Sequence, residues 1–566
     1  MPPRFSYGLS APTLFAGDLD FQRRTSPCEA ACPAGVPIQM LNTLVKQSEL
    51  AQALKFLRSR NPFSAVTGRV CSHACEAACN RNHFDEGLSI RALERYASDH
   101  ADFADHTLLR PRESTGRKIA IIGSGPAGMT CAYFSALLGH AVTVFEASSF
   151  LGGMPRAGIP DFRLPKDVLD REMGQILALG ITAKTNIRVG RDVTLDSIVA
   201  EYDACLVAAG AWKERIPDLP GVEMAISGLA FLKQANTGQR NGIGRKVVII
   251  GGGGVAFDCA FTARRLGATE VHVVCLEKAG EMCATPDDIR QGEEEGIRVH
   301  NGAVVSRILG RKSNTAGVEI AEVSEFGFDV NGRLAVKISD RGVCLEADAV
   351  VLAAGAEPDI AELDPHGRIR LTGRKTIEVD PATLATSVDR VFAAGDVVTG
   401  PGTVAQAVGG GRLAAIAMDN RLLGLTPGQR VHIGVGGDGR PSMRTCAATT
   451  EQHVVKFGEM MNLDFYKTND RRPTIRLPVS SSAMSFEESD KGFGETEALA
   501  EAERCFHCGQ CQLCGNCVED CPGYVLEMTV DGPKVAHPEE CWHCGNCRIS
   551  CPSAAVAYEF PISMMV

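Results

Sequence analysis

From residue 118 the chain alternates short apolar runs with glycines and helix-length segments. KIAIIGSGPAGM, HAVTVFEA, ACLVAAG, RKVVIIGGGGVAFD, EVHVVCLE, DAVVLAAG and RVFAAGD are apolar throughout, without the in–out alternation of a half-exposed strand. Such runs are buried strands of a parallel sheet, and their alternation with helices predicts a doubly wound α/β architecture. Residues 1–110 read as helical segments, such as IQMLNTLVKQSELAQALKFL and LSIRALERYASDHADF, separated by cysteine-bearing loops. Residues 426–504 lose the α/β texture and read as an extended connector, closed by a short helix, ETEALAEAER.

Composition narrows the picture. A chain of 566 residues predicts three to four folded units, and 45% hydrophobic with 22% charged residues is the balance of a globular protein. The net charge of -10, with no long basic run, disfavours nucleic-acid binding. No stretch of 18 apolar residues offers a membrane span, and the first 20 residues lack a signal-peptide core. A cytoplasmic protein is expected, whose 22 cysteines stay reduced. Five of them fall in the first 79 residues, ten between 505 and 551, and seven in between. Clustering at both ends reads as metal or iron–sulfur sites.

Two segments carry the dinucleotide pattern. In the first, a strand runs into Gly123-Ser-Gly125-Pro126-Ala127-Gly128 and a helix, and Glu146 ends the next strand 18 residues later. The glycines allow a tight turn and close backbone approach, the diphosphate rests on the helix N-terminus, and the carboxylate accepts from ribose hydroxyls. In the second, the pattern is Gly251-Gly-Gly253-Gly254-Val255-Ala256, with Glu277 21 residues beyond Ala256. A carboxylate there favours a free 2′-hydroxyl and repels a 2′-phosphate, so NADH is preferred over NADPH, with Lys278 the counterweight. Two such sites in one chain suggest a flavin and a nicotinamide.

The segments GSGPAGM, LGGMPRAGIPDFRLPK, VIIGGGGVAFD and AAGDVVTGPGTVAQAVGGGR resemble the small subunit of glutamate synthase and the electron-input half of dihydropyrimidine dehydrogenase, over roughly residues 25–420. The resemblance implies FAD in the first site, with Gly153 and Arg163 nearby, and a nicotinamide in the second. Similarity to two-dinucleotide flavoproteins places Gly395-Asp396 at the ribityl chain and Thr403-Val404 near the isoalloxazine ring. One departure stands out: where the family holds NADPH with Tyr-Arg-Arg, this chain has Cys275-Leu276-Glu277. No Cys-x2-Cys or Cys-x4-Cys pair accompanies either dinucleotide motif, which argues against a disulfide reductase.

The C-terminal cysteines give the strongest pattern. Cys511-x2-Cys514-x2-Cys517-x3-Cys521-Pro is matched by Cys541-x2-Cys544-x2-Cys547-x3-Cys551-Pro. In such runs the fourth cysteine ligates the other cluster. Cys511, Cys514, Cys517 and Cys551 are therefore expected to hold one [4Fe–4S] cluster, and Cys541, Cys544, Cys547 and Cys521 a second. Zinc, the competing reading, does not need the third close cysteine or the Cys-Pro pair. Cys505 and Cys508 extend the run and are expected to be lining thiols. His507 and His543 are expected to face sulfur or water, and Trp542 to pack over a cluster.

At the other end, Cys28-x3-Cys32-Pro and Cys71-x3-Cys75-x3-Cys79 resemble the family's cluster-binding helical domain. The resemblance implies a domain with eight ligands for two clusters, but here no cysteine precedes Cys28 and the Cys71–Cys75 gap is two residues shorter. One cluster is expected, held by Cys28, Cys32, Cys71 and Cys75. Family position gives the alternative of Cys32, Cys71, Cys75 and Glu94.

The expected layout is a helical cluster domain over 1–110 and a split FAD domain over 111–240 and 346–425. An NAD(P) domain over 241–345, the connector 426–504 and a ferredoxin domain over 505–566 complete it. The expected function is an NAD(P)H:acceptor oxidoreductase carrying FAD and three clusters, with no catalytic acid–base residue. Its partner is expected to be a protein. CEAACPAGVPI and CFHCGQCQLCGNCVEDCPG resemble iron–sulfur flavoproteins associated with dissimilatory sulfite reductase, and more distantly those serving benzoyl-CoA reductase. A ferredoxin, a glutamate synthase large subunit and a purely sensory role are the alternatives. Direction of flow, bifurcation and a homodimeric state stay open at this level.

Overall fold

The structure, a computed structural model, describes residues 5–6, 24–101, 109–311, 314–328, 334–425, 432–435, 441–444, 453–530 and 532–558. The chain divides into two units. One comprises Met1–Leu109, Gly428–Thr474 and Gly492–Val566; the other comprises Arg110–Pro427 and Ile475–Lys491.

The second unit is the α/β part. All seven apolar runs form strands, in two parallel five-stranded sheets. The first has the order Val391–Ala393, Ala204–Val207, Lys118–Ile122, Ala141–Phe145, Thr182–Lys184. The second has the order Arg298–His300, Glu270–Val274, Lys246–Ile250, Ala349–Leu352, Ile226–Ser227. The central strands are buried on both faces, with Ile119, Ile121, Val247 and Ile249 fully enclosed, as a sheet covered by helices requires.

The boundaries differ from those expected. Ile226–Ser227 and the DAVVLAAG strand, Ala349–Leu352, belong to the second sheet although they lie outside 241–345. A strand apolar on both faces fits either sheet, so only the pairing decides. A three-stranded antiparallel sheet, Ala303–Arg311, Asn314–Phe328 and Leu334–Glu346, is inserted between these strands. Its short sequence texture gave no warning of it.

In the first unit, the helices Ile38–Lys46, Leu50–Arg58, Ser64–Val70 and Ile90–His100 pack together. Gly68 lets two of them touch, since a Cβ there would lie 2.7 Å from Arg95 Cα. The dicluster module carries two short helices, Asn516–Glu519 and Asn546–Ile549, and a hairpin of Leu526–Thr529 with Gly532–Val535.

The expected connector is folded over 453–504, and it is shared between the units. His453–Val454 pairs with Arg24–Thr25, and Tyr466 donates to the Phe506 carbonyl at 2.9 Å, both within the first unit. Residues 475–491 join the α/β unit, where Ser489 N donates to Phe162 O at 3.0 Å and Arg265 Nε to Ser485 O at 3.0 Å. The helix Glu495–Glu503 forms as expected.

Candidate functional site

The first glycine turn divides into packing and open positions. Gly123 sits at φ +104, and side chains on Gly123 or Gly128 would collide with the carbonyls of Ala208 and Gly123. Nothing lies within 4 Å of where a Cβ on Gly125 would point. Gly125 is also the N-cap of the helix Pro126–Leu137, whose free amides and dipole favour an anion.

The other predicted residues gather here. A Cβ on Gly153 would lie 2.7 Å from Gly125 Cα, and one on Gly395 2.8 Å from Ala127 Cβ. The helix Val404–Leu422 lies so close that a side chain on Gly411 would strike the Ala127 carbonyl. Thr403 caps that helix through a reciprocal pair: Gln406 N donates to Thr403 Oγ1 at 3.2 Å and Thr403 N to Gln406 Oε1 at 2.8 Å. Glu146 follows the strand Ala141–Phe145 and is pinned to the turn, accepting from Ser124 N at 2.9 Å, Ser124 Oγ at 2.6 Å and Ser148 N at 2.7 Å. Burial pushes the Asp396 carboxyl up to about 6, against the opposing pull of the Gly402 N–H. An open glycine at a helix N-terminus, ringed by small residues and two carboxylates, fits a flavin dinucleotide.

The second turn repeats the design. A side chain on Gly251, at φ +137, would strike the Ala353 carbonyl, while Gly253 and Gly254 face open space. Ala256 is fully buried and Val255 is exposed on the first turn of the helix Gly254–Arg265. Glu277 lies three residues past the strand Glu270–Val274, not at its end. Its carboxylate stands over Gly252, a glycine that the motif alone did not single out.

Arg163, expected near the flavin, is held by two carboxylates. It donates to Asp258 Oδ1 at 2.6 Å and pairs with Asp288 Oδ1 at 3.0 Å. Because Asp258 lies on the helix Gly254–Arg265, Arg163 ties the GIPDFRLP segment to the second nucleotide motif. Burial raises the Asp258 carboxyl to about 6 even with Arg163 opposing it.

The expected C-terminal ligand sets come together. Cys511, Cys514, Cys517 and Cys551 ring one cavity whose other walls include Met528, Pro533 and Val556. The Cys547 thiol is pushed up to about 12 by burial, with Cys521, Cys541 and Cys544 adding to it. Among the described residues no three acidic, imidazole or thiol groups converge on one point as a single metal ion would need. Cys511, Cys514, Cys517 and Cys551 surround a volume, the arrangement a cubane would need.

A local geometry recurs at these thiols. Leu513 N donates to Cys511 Sγ and His543 N to Cys541 Sγ, both at 3.4 Å, with Leu513 and His543 at φ +58 and +55. After each Cys-Pro, Val525 N donates to Cys521 Sγ at 3.4 Å and Ala555 N to Cys551 Sγ at 3.3 Å. It is the backbone of His543 that serves sulfur. Trp542, expected to be packed, is 66% exposed.

The N-terminal cysteines divide into two groups. Burial raises Cys71 to about 11, and Glu94 and Cys32 push in the same direction; Cys75 is raised by burial and by Glu76, Cys32, Cys71 and Glu94. Cys32, Cys71, Cys75 and Glu94 therefore stand together. Cys28 does not join them, because its neighbouring thiols are Cys79, Cys505 and Cys508. The two cysteines share the helix Pro27–Ala31, but Cys32 is its C-cap with extended backbone and leaves the helical path. Glu94 is buried and accepts at Oε1 from Asn61 Nδ2 at 3.0 Å and Thr67 Oγ1 at 2.7 Å.

The chain is similar to known proteins over most of its length. Residues 117–411 match the pyridine nucleotide-disulphide oxidoreductase family, residues 21–105 dihydropyrimidine dehydrogenase domain II with its 4Fe-4S cluster, and residues 510–555 a 4Fe-4S dicluster domain. The NADP(+)-dependent formate dehydrogenase subunit beta of Moorella thermoacetica is 35% identical over 512 residues, spanning 86% of this chain and 70% of that one. The glutamate synthase [NADPH] small chain of Mycobacterium tuberculosis is 32% identical over 431 residues, 70% of this chain and 86% of its own. The NAD-dependent dihydropyrimidine dehydrogenase subunit PreT of Escherichia coli is 32% identical over 408 residues, 70% of this chain and 92% of its own.

Proposed function

The chain belongs to the pyridine nucleotide-disulphide oxidoreductase family, as an NAD(P)H-dependent flavin and iron–sulfur oxidoreductase, and we propose that it passes electrons between NADH and a protein partner. On this reading FAD occupies the cradle at Gly125 and NADH the cradle at Gly253 and Gly254. A bound flavin supplies the conversion between two-electron hydride transfer and one-electron transfer. The chain's own residues bind and orient. The amides at the start of Pro126–Leu137 and Gly254–Arg265 hold the diphosphates, and Glu146 and Glu277 accept from ribose hydroxyls.

One observation carries the reading: a chain with two open dinucleotide cradles also has four cysteines ringing a single cavity, Cys511, Cys514, Cys517 and Cys551. A second cluster fits Cys541, Cys544, Cys547 and Cys521, and an N-terminal one fits Cys32, Cys71 and Cys75 with Glu94. Glu277, in place of the arginines that hold a 2′-phosphate, supports NADH, although several relatives are named for NADP. Among the described residues no helix is long and apolar enough to cross a membrane. We assign the protein to the cytoplasm, where its thiols stay reduced.

The partner is a second redox protein. The sequence resemblance points to dissimilatory sulfite reductase, and the relatives' names point to a formate dehydrogenase or glutamate synthase partner subunit. Anaerobic titration with NADH and with NADPH, following flavin absorbance and cluster EPR, tests the reading. Flavin bleaching by NADH followed by reduced-cluster signals is the expected result. Bleaching by NADPH alone overturns the nucleotide assignment, and bleaching by neither overturns the direction of flow.

A further inference from the structure

Four thiols outside the sites assigned above converge in the first unit. Cys28, Cys79, Cys505 and Cys508 are all buried, at 7–9% exposure. Asn80, next to Cys79, donates Nδ2–H to Cys508 Sγ at 3.4 Å, and Arg81 Nη1 donates to Arg504 O at 2.6 Å. The 79–81 turn thus lies against the 504–508 segment. From the other side, a Cβ on Gly509 would meet Arg24 Cβ at 3.2 Å, bringing the strand before the Cys28 helix beside that same segment. Burial raises the Cys28 thiol, and Cys79, Cys505 and Cys508 raise it further.

Cys505 has the local geometry of a cluster ligand. His507 N donates to Cys505 Sγ at 3.4 Å with His507 at φ +48. The same arrangement occurs at Cys511 and Cys541, and at Cys71, where His73 N donates at 3.4 Å with φ +44. Holding a non-glycine residue in the left-handed region costs on the order of 1 kcal/mol, and a spare core thiol gives no reason for it. Cys259, an ordinary core thiol, instead donates its S–H to the Gly228 carbonyl. At Cys79, Arg81 and Arg504 act against the effect of burial, supplying positive charge beside the thiols.

We propose that Cys28, Cys79, Cys505 and Cys508 hold a fourth [4Fe–4S] cluster, built jointly by the two ends of the chain. The inference deepens the proposed function and rests on its iron–sulfur half. Chain length sets the neighbours. Cys28 and Cys32 are four residues apart, at most about 14 Å, and Cys508 and Cys511 lie at most about 11 Å apart. The fourth cluster therefore stands between the Cys32–Cys71–Cys75 site and the dicluster module. Between clusters so held, the one that gives up an electron would be oxidised and the one that takes it reduced, with no bond made or broken.

Iron and acid-labile sulfide counted in anaerobically purified full-length protein give the first test. About sixteen of each per chain is expected for four clusters, and about twelve overturns the proposal. Ligand identity is tested by EPR of reduced Cys28→Ser and of the Cys505→Ser, Cys508→Ser double variant. Both should lose about four irons and the same signal, while Cys32→Ser loses a different one. If Cys28→Ser and Cys32→Ser remove one common signal, the proposal falls. Should neither nucleotide bleach the flavin in protein holding about sixteen irons, the proposed direction of flow falls and the fourth cluster stands.

Discussion

The Glu277 carboxylate stands 2.6 Å from the point that a Cβ on Gly252 would occupy, and Cys275 Cβ lies 2.8 Å from that point. Only glycine at 252 lets the carboxylate reach over the second nucleotide turn. Glu277→Arg is therefore expected to reverse the nucleotide preference, raising kcat/KM for NADPH relative to NADH by tenfold or more, about 1.4 kcal/mol. Gly252→Ala should weaken NADH by a similar factor, because the new methyl displaces the carboxylate. Steady-state kinetics with both nucleotides check the pair, and an unchanged ratio in Glu277→Arg removes Glu277 from the site.

Gly125 and Gly128 should respond differently to the same substitution. A methyl on Gly125 enters open space, whereas one on Gly128 collides with the Gly123 carbonyl. Gly125→Ala is expected to keep the wild-type melting temperature before flavin is added and to be purified with little FAD. Gly128→Ala should be destabilised by about 2 kcal/mol or more, in the range of overpacked cores. Thermal unfolding and flavin absorbance read the two effects separately. Full FAD occupancy in Gly125→Ala would show that the open space is not the diphosphate site.

Arg163 holds two carboxylates, and its removal should depend on pH. Burial raises the Asp258 carboxyl from 3.8 to about 6. A raised folded-state value means the fold binds more protons than the unfolded chain between these limits, so this group's stabilisation is full below pH 3.8 and is lost as pH rises through about 6. Arg163→Ala leaves Asp258 and Asp288 facing each other uncompensated. It should cost about 3 kcal/mol at pH 8 and less at pH 5.5, where Asp258 is largely protonated. Denaturant unfolding at the two pH values measures this, and an equal cost at both contradicts it.

Trp542, Tyr524 and Ile549 are exposed beside the Cys541–Cys544–Cys547 loop, at 66%, 80% and 53%. Exposed aromatics are typical anchors of protein interfaces. Trp542→Ala is expected to slow electron transfer to a ferredoxin by about tenfold, a loss of about 1.4 kcal/mol, while ferricyanide reduction is unaffected. A parallel loss with ferricyanide would place the effect on the cluster itself.

Local sequence determined the strands, the two glycine turns and the dicluster domain. Each depends on interactions within a few residues: an apolar run that must be covered, a glycine where only a missing Cβ permits the turn, a loop that wraps three corners of one cluster. Tertiary structure decided what depends on which distant segments meet. The DAVVLAAG strand joined the second sheet by pairing with Lys246–Ile250, and Arg163 found Asp258, 95 residues away. Cys28 parted from Cys32 and met Cys505 and Cys508 across more than 470 residues. The Cys505-x2-Cys508 spacing carried a signal, but spacing along one segment cannot name a partner on another. That choice is made only when the chain folds and the two ends lie side by side.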